Sequence, residues 1–132
     1  MREIKFRGRD EHGEWHYGAF MGVFYDGVVA PIEYADIYDD GMATRVLPDT
    51  VGQFTGLKDC KGREIYEGDI IEMNRGCYER DGIHTDFIFH AVVCWVKNGF
   101  MYKGPGIFGS TFDNVKVIGN VYDNPDLLEA TE

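Results

Sequence analysis

The side chains best suited to chemistry cluster near the N-terminus, where His12 and His16 lie four residues apart. Three carboxylates surround them: Asp10, Glu11 and Glu14. On a helix, two histidines at this spacing share a face and can bind a metal ion. Gly13 and the strand-like run that follows argue against a helix, so the sequence predicts no metal site and no catalytic residue here.

An acidic and aromatic segment follows at residues 32–42. It contains four candidate binding residues: Tyr34, Asp36, Asp39 and Asp40. Carboxylates this close together could hold a cation or imitate a row of phosphates; the alternative is a solvated loop. A calcium loop needs oxygen ligands at alternating positions and a distal glutamate, and the segment lacks this pattern. Periodicity does not decide between a helical turn and an ordered loop, and no cofactor is predicted.

Basic side chains alternate with apolar ones in the first predicted strand. Ile4 and Phe6 point to one side, and the candidate binding residues on the other side are Lys5, Arg7 and Arg9. The pattern predicts a half-buried strand with a basic outer face in an otherwise acidic chain. This face could bind an anion or a partner's carboxylates, or it could pair with the protein's own acidic residues and keep the strand soluble.

Composition limits the partners and compartments to be expected. The chain has 132 residues and a formal net charge of -10, so most of its surface repels nucleic-acid phosphates. The same surface could bind a basic protein partner, although many acidic surfaces are simply solvated. The three cysteines form no CxxC pair, which disfavours a zinc site and suits a reducing compartment. Because no apolar run approaches a membrane span, a cytoplasmic protein without a membrane partner is expected.

Turn signals predict the strands that would position these residues. Asp26-Gly27 and Asn98-Gly99 predict tight hairpin turns, and residues 51–71 predict a meander of short antiparallel strands around two turns. Residues 85–96 form the longest apolar run and predict the central strand of the core.

Two further signals concern the division of the chain into lobes and its C-terminal segment. Pro48 marks a division into an N-terminal β lobe, residues 1–50, and a C-terminal lobe, residues 51–132, unless both form one compact domain. Asn124-Pro125-Asp126 predicts the start of a short C-terminal helix, because asparagine caps helices and proline favours the first helical position.

Three segments carry a resemblance to a known family: residues 2–10 (REIKFRGRD), 51–71 (VGQFTGLKDCKGREIYEGDII) and 117–128 (VIGNVYDNPDLL). The chain resembles the YopX family of small phage and prophage proteins. The resemblance implies a mainly β fold, α+β at most, with an SH3-like barrel and a short terminal helix in residues 51–132. It also implies phage or prophage origin and a homo-oligomer. It implies no activity, because the family has no established function.

Three functions remain open at this point. The first, which we favour, is a phage or prophage accessory protein that binds or assembles without catalysis, with a host or phage protein as a possible partner. The second is an acidic inhibitor that imitates nucleic acid and blocks a host DNA-binding protein, which requires carboxylates arrayed on one face. The third is a hydrolase that uses His12, His16 or His90 with a carboxylate, which requires a pocket where the two converge. The sequence contains no P-loop, GxSxG or GxGxxG motif.

Overall fold

The computed structural model describes residues 4–27, 32–78, 84–96, 99–105, 107–110, 112 and 114–129. Within these residues the chain forms eleven strands, one 3-10 turn and one helical turn. All the described strand pairs are antiparallel, which confirms the predicted mainly β fold. The chain divides into two compact units, Met1–Gly56 and Leu57–Glu132.

The first unit is a curled antiparallel sheet. Its elements are β1 (Phe6–Arg9), β2 (Trp15–Asp26), β3 (Ile32–Asp39), β4 (Met42–Val46), a 3-10 turn (Pro48–Thr50) and most of β5 (Gly52–Lys58), whose last two residues belong to the second unit. β1 lies between β2 and β5, while β2, β3 and β4 form a meander with β4 at the edge. The amide of Leu47 donates a hydrogen bond of 2.8 Å to the carbonyl of Arg9, which draws the end of β4 toward β1.

The concave side of this curl holds a small apolar core. Its residues are Ala35, Ile37 and Val46, with Phe6 and Val51 packed against them. A Cβ atom at Gly8 would lie only 2.6 Å from Cγ2 of Val46, so glycine is needed for this close approach of β1.

The second unit is built on a five-stranded sheet with the order β10-β9-β8-β7-β11. The elements of the unit are β6 (Glu64–Tyr66), β7 (Asp69–Tyr78), β8 (His84–Val96), β9 (Gly99–Gly104), β10 (Ile107–Gly109), β11 (Lys116–Asn120) and α1 (Asp126–Glu129). β8 lies in the centre of the sheet, as its long apolar run predicts. The core of the unit contains Ile65, Ile71, Met73, Ala91, Val93, Tyr102, Val115 and Val117.

Two predictions about residues 51–132 are corrected by the structure. The described strands β7 to β11 form an open sheet with β10 and β11 as edges, so the SH3-like barrel is not found there. The pronounced curl lies in the first unit instead. The predicted C-terminal helix is reduced, in the described residues, to the single turn α1. The side chain of Asn124, expected to cap that helix, accepts a hydrogen bond from the amide of Asn120 instead.

The tight turns also differ from those predicted. Asp26 pairs with Ile32, so the β2–β3 connection spans residues 27–31; the predicted return strand at 28–30 lies outside the described residues. The acidic segment is neither a helical turn nor a loop, because β3 occupies most of it. Asp40 and Gly41, with φ of 50° and 83°, form the two-residue turn that joins β3 to β4. Of the helices in the described part of the chain, none has the length and apolarity needed to cross a bilayer.

Candidate functional site

The basic strand β1 packs against aromatic rings. The guanidinium carbon of Arg7 lies 4.6 Å from the centre of the Trp15 ring, and the ammonium of Lys5 lies 5.5 Å from that of Phe54. Arg7 is only 6% exposed, so the prediction of a solvated outer face is wrong for this residue. The reason is that β1 is flanked by β2 and β5, whereas alternation in the sequence reveals only which residues share a side. Cation–π contacts of this kind contribute about 0.5–2 kcal/mol each.

The acidic candidates do not form a row on one face. Asp36 lies within β3 and pairs with Arg45 of β4 in the sheet register. Asp39 lies three positions further along and therefore points to the opposite face, while Asp40 occupies the turn. The three carboxylates thus lack the single-face array that imitation of a phosphate row requires.

Tyr34 is the candidate with the most distinctive surroundings. The guanidinium carbon of Arg45 lies 3.7 Å from the centre of its ring, which is a close stacking contact. Phe24 of β2 packs against Tyr34 with a centroid distance of 5.6 Å. The tyrosine therefore joins an arginine on β4 to an aromatic residue on β2. Sequence reasoning missed Arg45, although reading Asp40-Gly41 as a two-residue turn would have placed it opposite Asp36.

A cavity of about 320 Å³ lies beside this stack in the first unit. Its lining combines acidic, basic, aromatic and aliphatic side chains from three places in the sequence: Asp10, Glu11, His12, Glu33, Tyr34, Arg45, Val46 and Leu47. Of the seven binding candidates from the sequence, only Tyr34 lines it. The volume is at the lower end of the range typical of small-ligand sites.

Asp10 organises the turn between β1 and β2 at the edge of this cavity. Its Oδ1 accepts hydrogen bonds from the amides of His12 (2.8 Å) and Glu14 (2.9 Å). Its Oδ2 lies 2.8 Å from Nε2 of His16. The hydrogen bond with His16, assisted by the two backbone amides, lowers the pKa of Asp10 to about 2.

This turn groups His16 with the carboxylates of Asp10 and Glu14, while Nε2 of the exposed His12 lies 3.6 Å from Oε1 of Glu11. Potential ligand atoms of Asp10, Glu14 and His16 lie within 4.8 Å of one another. Each oxygen of Asp10 already has a hydrogen-bond partner, so the group is explained by the geometry of the turn. We therefore assign no metal to it.

Acid is expected to remove the contribution of Asp10 to stability. Because the pKa of the folded protein's Asp10 is about 2, below the usual 3.8, this contribution is present above about pH 4 and lost as the pH falls through 2. The melting temperature of Asp10→Asn should therefore lie below that of the wild type at about pH 6 and approach it near pH 2. Asp49→Asn, at an exposed aspartate, is the control. The difference between its melting temperature and that of the wild type should not narrow toward pH 2. A gap for Asp10→Asn that stays constant across this range would contradict the prediction.

His90, the histidine predicted to lie in the core, is in the second unit. Its Nε2 lies 3.2 Å from Oε2 of Glu72 on β7, and its Nδ1 lies 3.2 Å from the carbonyl oxygen of Leu127 in α1. The ring thus connects the central strand to the C-terminal turn. These two contacts give His90 a structural role.

Comparison with known proteins identifies the family. The sequence matches the family described as YopX protein over residues 5–129. The chain belongs to the YopX family. No curated protein matches the sequence. Among solved structures, the YopX chain is similar to the crystal structure of protein EF1440 from Enterococcus faecalis, with 22% identity and a TM-score of 0.51. The match covers 97% of this chain and 99% of that one, and it supports the fold alone.

The central segment of YopX resemblance, residues 51–71, has a structural role that its turn residues already suggest. Asp59 is buried, and its Oδ1 accepts hydrogen bonds from the amides of Lys61 (2.9 Å) and Arg63 (2.8 Å). Its Oδ2 accepts a third bond of 2.9 Å from the amide of Val117 in β11. One carboxylate therefore shapes the turn and attaches it to the edge strand of the second sheet.

Proposed function

We propose that this YopX protein is a phage or prophage accessory protein that acts in the host cytoplasm by binding and assembly, without catalysis. The observation that carries the proposal is the exposure of apolar side chains along the second half of β2. We call residues Phe20–Tyr25 the β2 arm. Its exposed residues are Phe20 (37%), Met21 (52%), Val23 (45%), Phe24 (39%) and Tyr25 (68%).

The β2 arm is apolar on both faces of the sheet. Successive residues of a strand point to opposite sides, yet Val23, Phe24 and Tyr25 are all exposed. A β-bulge between Phe20 and Val23, with Gly22 at a φ of 112°, interrupts the register at the start of the arm. Contiguous apolar surface of this kind is typical of protein interaction sites.

The partner we propose is a second copy of the chain. The segment Ala19–Tyr25 contains no charged residue, although the formal net charge of the chain is -10. Two copies repel each other over most of their surfaces, and an uncharged patch is where this repulsion opposes association least. A homo-oligomer would also cover both apolar faces of the arm.

A charged substitution in the β2 arm tests this proposal. We expect Met21→Glu to raise the dissociation constant of the oligomer at least about 30-fold, since burying an uncompensated charge costs about 2 kcal/mol or more. Light scattering after gel filtration should show a mass above 15.0 kDa for the wild type and 15.0 kDa for the variant.

Phe108→Glu is the matched control, because Phe108 is 76% exposed but lies in the second unit. It should leave the mass of the oligomer unchanged. Both variants should keep the wild-type melting temperature within a few degrees, since Met21 and Phe108 are both solvent-exposed. A wild-type protein that is monomeric at about 100 µM would overturn self-assembly through the arm.

A further inference from the structure

We propose that the cavity beside Tyr34 binds an arginine or lysine side chain of a partner peptide. This inference rests on the proposed binding function and names a class of partner for a second surface of the same unit. The basic side chain would enter between the acidic residues of the lining. Three properties of the cavity carry the argument: its charge, its aromatic wall and its size.

The charge of the lining favours a cation. Three carboxylates and one guanidinium line the cavity: Asp10, Glu11, Glu33 and Arg45. Asp10 contributes its charge only, because both of its oxygens already have hydrogen-bond partners in the turn, whereas Glu33 is exposed to an incoming ligand. Because the whole chain carries a formal charge of -10, the long-range field also attracts a basic peptide toward the site.

Tyr34 supplies the aromatic part of the lining. Arg45 stacks on one face of its ring at 3.7 Å, so an incoming basic side chain would contact the remainder of the ring. Leu47, 41% exposed, offers an apolar surface for the methylene groups of a basic side chain.

The size of the cavity excludes larger occupants. A volume of about 320 Å³ accepts one extended basic side chain with its bound water, and it is too small to enclose a folded element. The second unit is not required, because every lining residue belongs to Met1–Gly56. A short peptide is therefore a sufficient probe.

The test compares acetylated tetra-arginine with acetylated tetra-citrulline, whose side chains have nearly the same shape but no charge. Isothermal titration at low and moderate salt measures the affinities, and amide chemical shifts locate the peptide. We expect the arginine peptide to bind at least about 10-fold more tightly than the citrulline peptide. The largest shifts should lie at residues 10–12, 33–34 and 45–47.

Two variants on β3 distinguish binding in the cavity from general electrostatic attraction of the peptide to the acidic chain. Glu33→Gln and Asp39→Asn each remove one exposed charge from β3, but only Glu33 lines the cavity. We expect Glu33→Gln to weaken binding about 5-fold or more and Asp39→Asn less than about 2-fold, since a lone exposed charge contributes little. Equal losses, equal affinities for the two peptides, or shifts spread outside the cavity would overturn the inference.

The oligomeric state distinguishes this inference from the proposed function. Glu33→Gln should lose peptide affinity while its mass by light scattering stays that of the wild type. The β2-arm variant should lose mass while its monomer still binds the arginine peptide. Peptide affinity and oligomeric mass therefore test the two proposals separately.

Discussion

Replacing Asp59 with alanine is expected to lower the free energy of unfolding by about 3–5 kcal/mol. The substitution removes the acceptor of three backbone hydrogen bonds at once, from Lys61, Arg63 and Val117. A hydrogen bond to a charged group contributes about 1.5–3 kcal/mol, and a buried donor left without an acceptor costs about as much. The expected loss is smaller than the sum of three such hydrogen bonds, because some of these amides can bind water when the turn relaxes. Chemical denaturation followed by circular dichroism measures the loss.

The asparagine variant separates the two tasks of this carboxylate. Asp59→Asn keeps one oxygen, which can still accept from Lys61 and Arg63, but it places an NH₂ group opposite the amide of Val117 or opposite the turn. We therefore expect a loss of about half that of Asp59→Ala. Asp49→Ala, at an exposed aspartate of the 3-10 turn, is the control and should change stability by less than about 0.5 kcal/mol. An Asp59→Ala protein as stable as this control would refute the assignment.

The same carboxylate should contribute to acid sensitivity. Burial raises the pKa of Asp59, but the hydrogen bonds from the amides of Val117, Arg63 and Lys61 outweigh it, so the net effect is to lower this pKa. The stabilisation is therefore present above the pKa of the unfolded chain and is lost as the pH falls through the depressed pKa of the folded protein. The difference in stability between the wild type and Asp59→Asn should narrow at acid pH.

The sequence predicts local turns and strands better than it predicts their pairing. The polar run from Lys58 to Gly62 correctly indicates a turn, because aspartate and glycine report local backbone geometry. Residues 85–96 correctly indicate the central strand. Which of several Asp-Gly pairs closes a two-residue hairpin depends on the register of the strands that meet. The sequence favours Asp26-Gly27, but it is Asp40-Gly41 that forms the two-residue turn between β3 and β4.

The surroundings of the candidate site residues are even harder to predict from the sequence than the pairing of the strands. The cavity unites the β1–β2 turn, the start of β3 and the end of β4, and no sequence spacing connects these places. Arg7 appears exposed from alternation, yet its burial depends on β5 pairing beside it and on Trp15 packing over it. The amide of Leu47 bonds to the carbonyl of Arg9, which lies far away in the sequence. Such long-range contacts determine how strands are arranged in a sheet, and sequence patterns do not reveal them. An SH3-like barrel is therefore expected for residues 51–132, where the described strands β7 to β11 form an open sheet.

Gly68→Val is the second substitution expected to have a large effect, with a loss of about 2–4 kcal/mol in the free energy of unfolding. Gly68 has a φ of 92°, which a β-branched side chain adopts only with strain. Its amide donates a bond of 2.8 Å to the carbonyl of Val93, and its carbonyl accepts one of 3.0 Å from the amide of Val121. These two bonds fix the backbone from both sides, so the chain cannot relieve the strain by rotating without breaking one of them.

Gly62→Val is the control that isolates this restraint. Gly62 has a similar φ of 82°, and its amide donates a bond of 3.0 Å to the carbonyl of Asp59, but the residue is exposed and a Cβ atom there would have no neighbour within 4 Å. We expect it to lose about 1 kcal/mol, the cost of the local backbone strain alone. Thermal denaturation of both variants checks the difference, and a Gly68→Val protein with the wild-type melting temperature would contradict it. Because both glycines lie in the family's central segment and outside the β2 arm and the cavity, folded Gly62→Val should keep its oligomeric mass. An unchanged mass would indicate that residues 51–71 serve the fold and not the assembly.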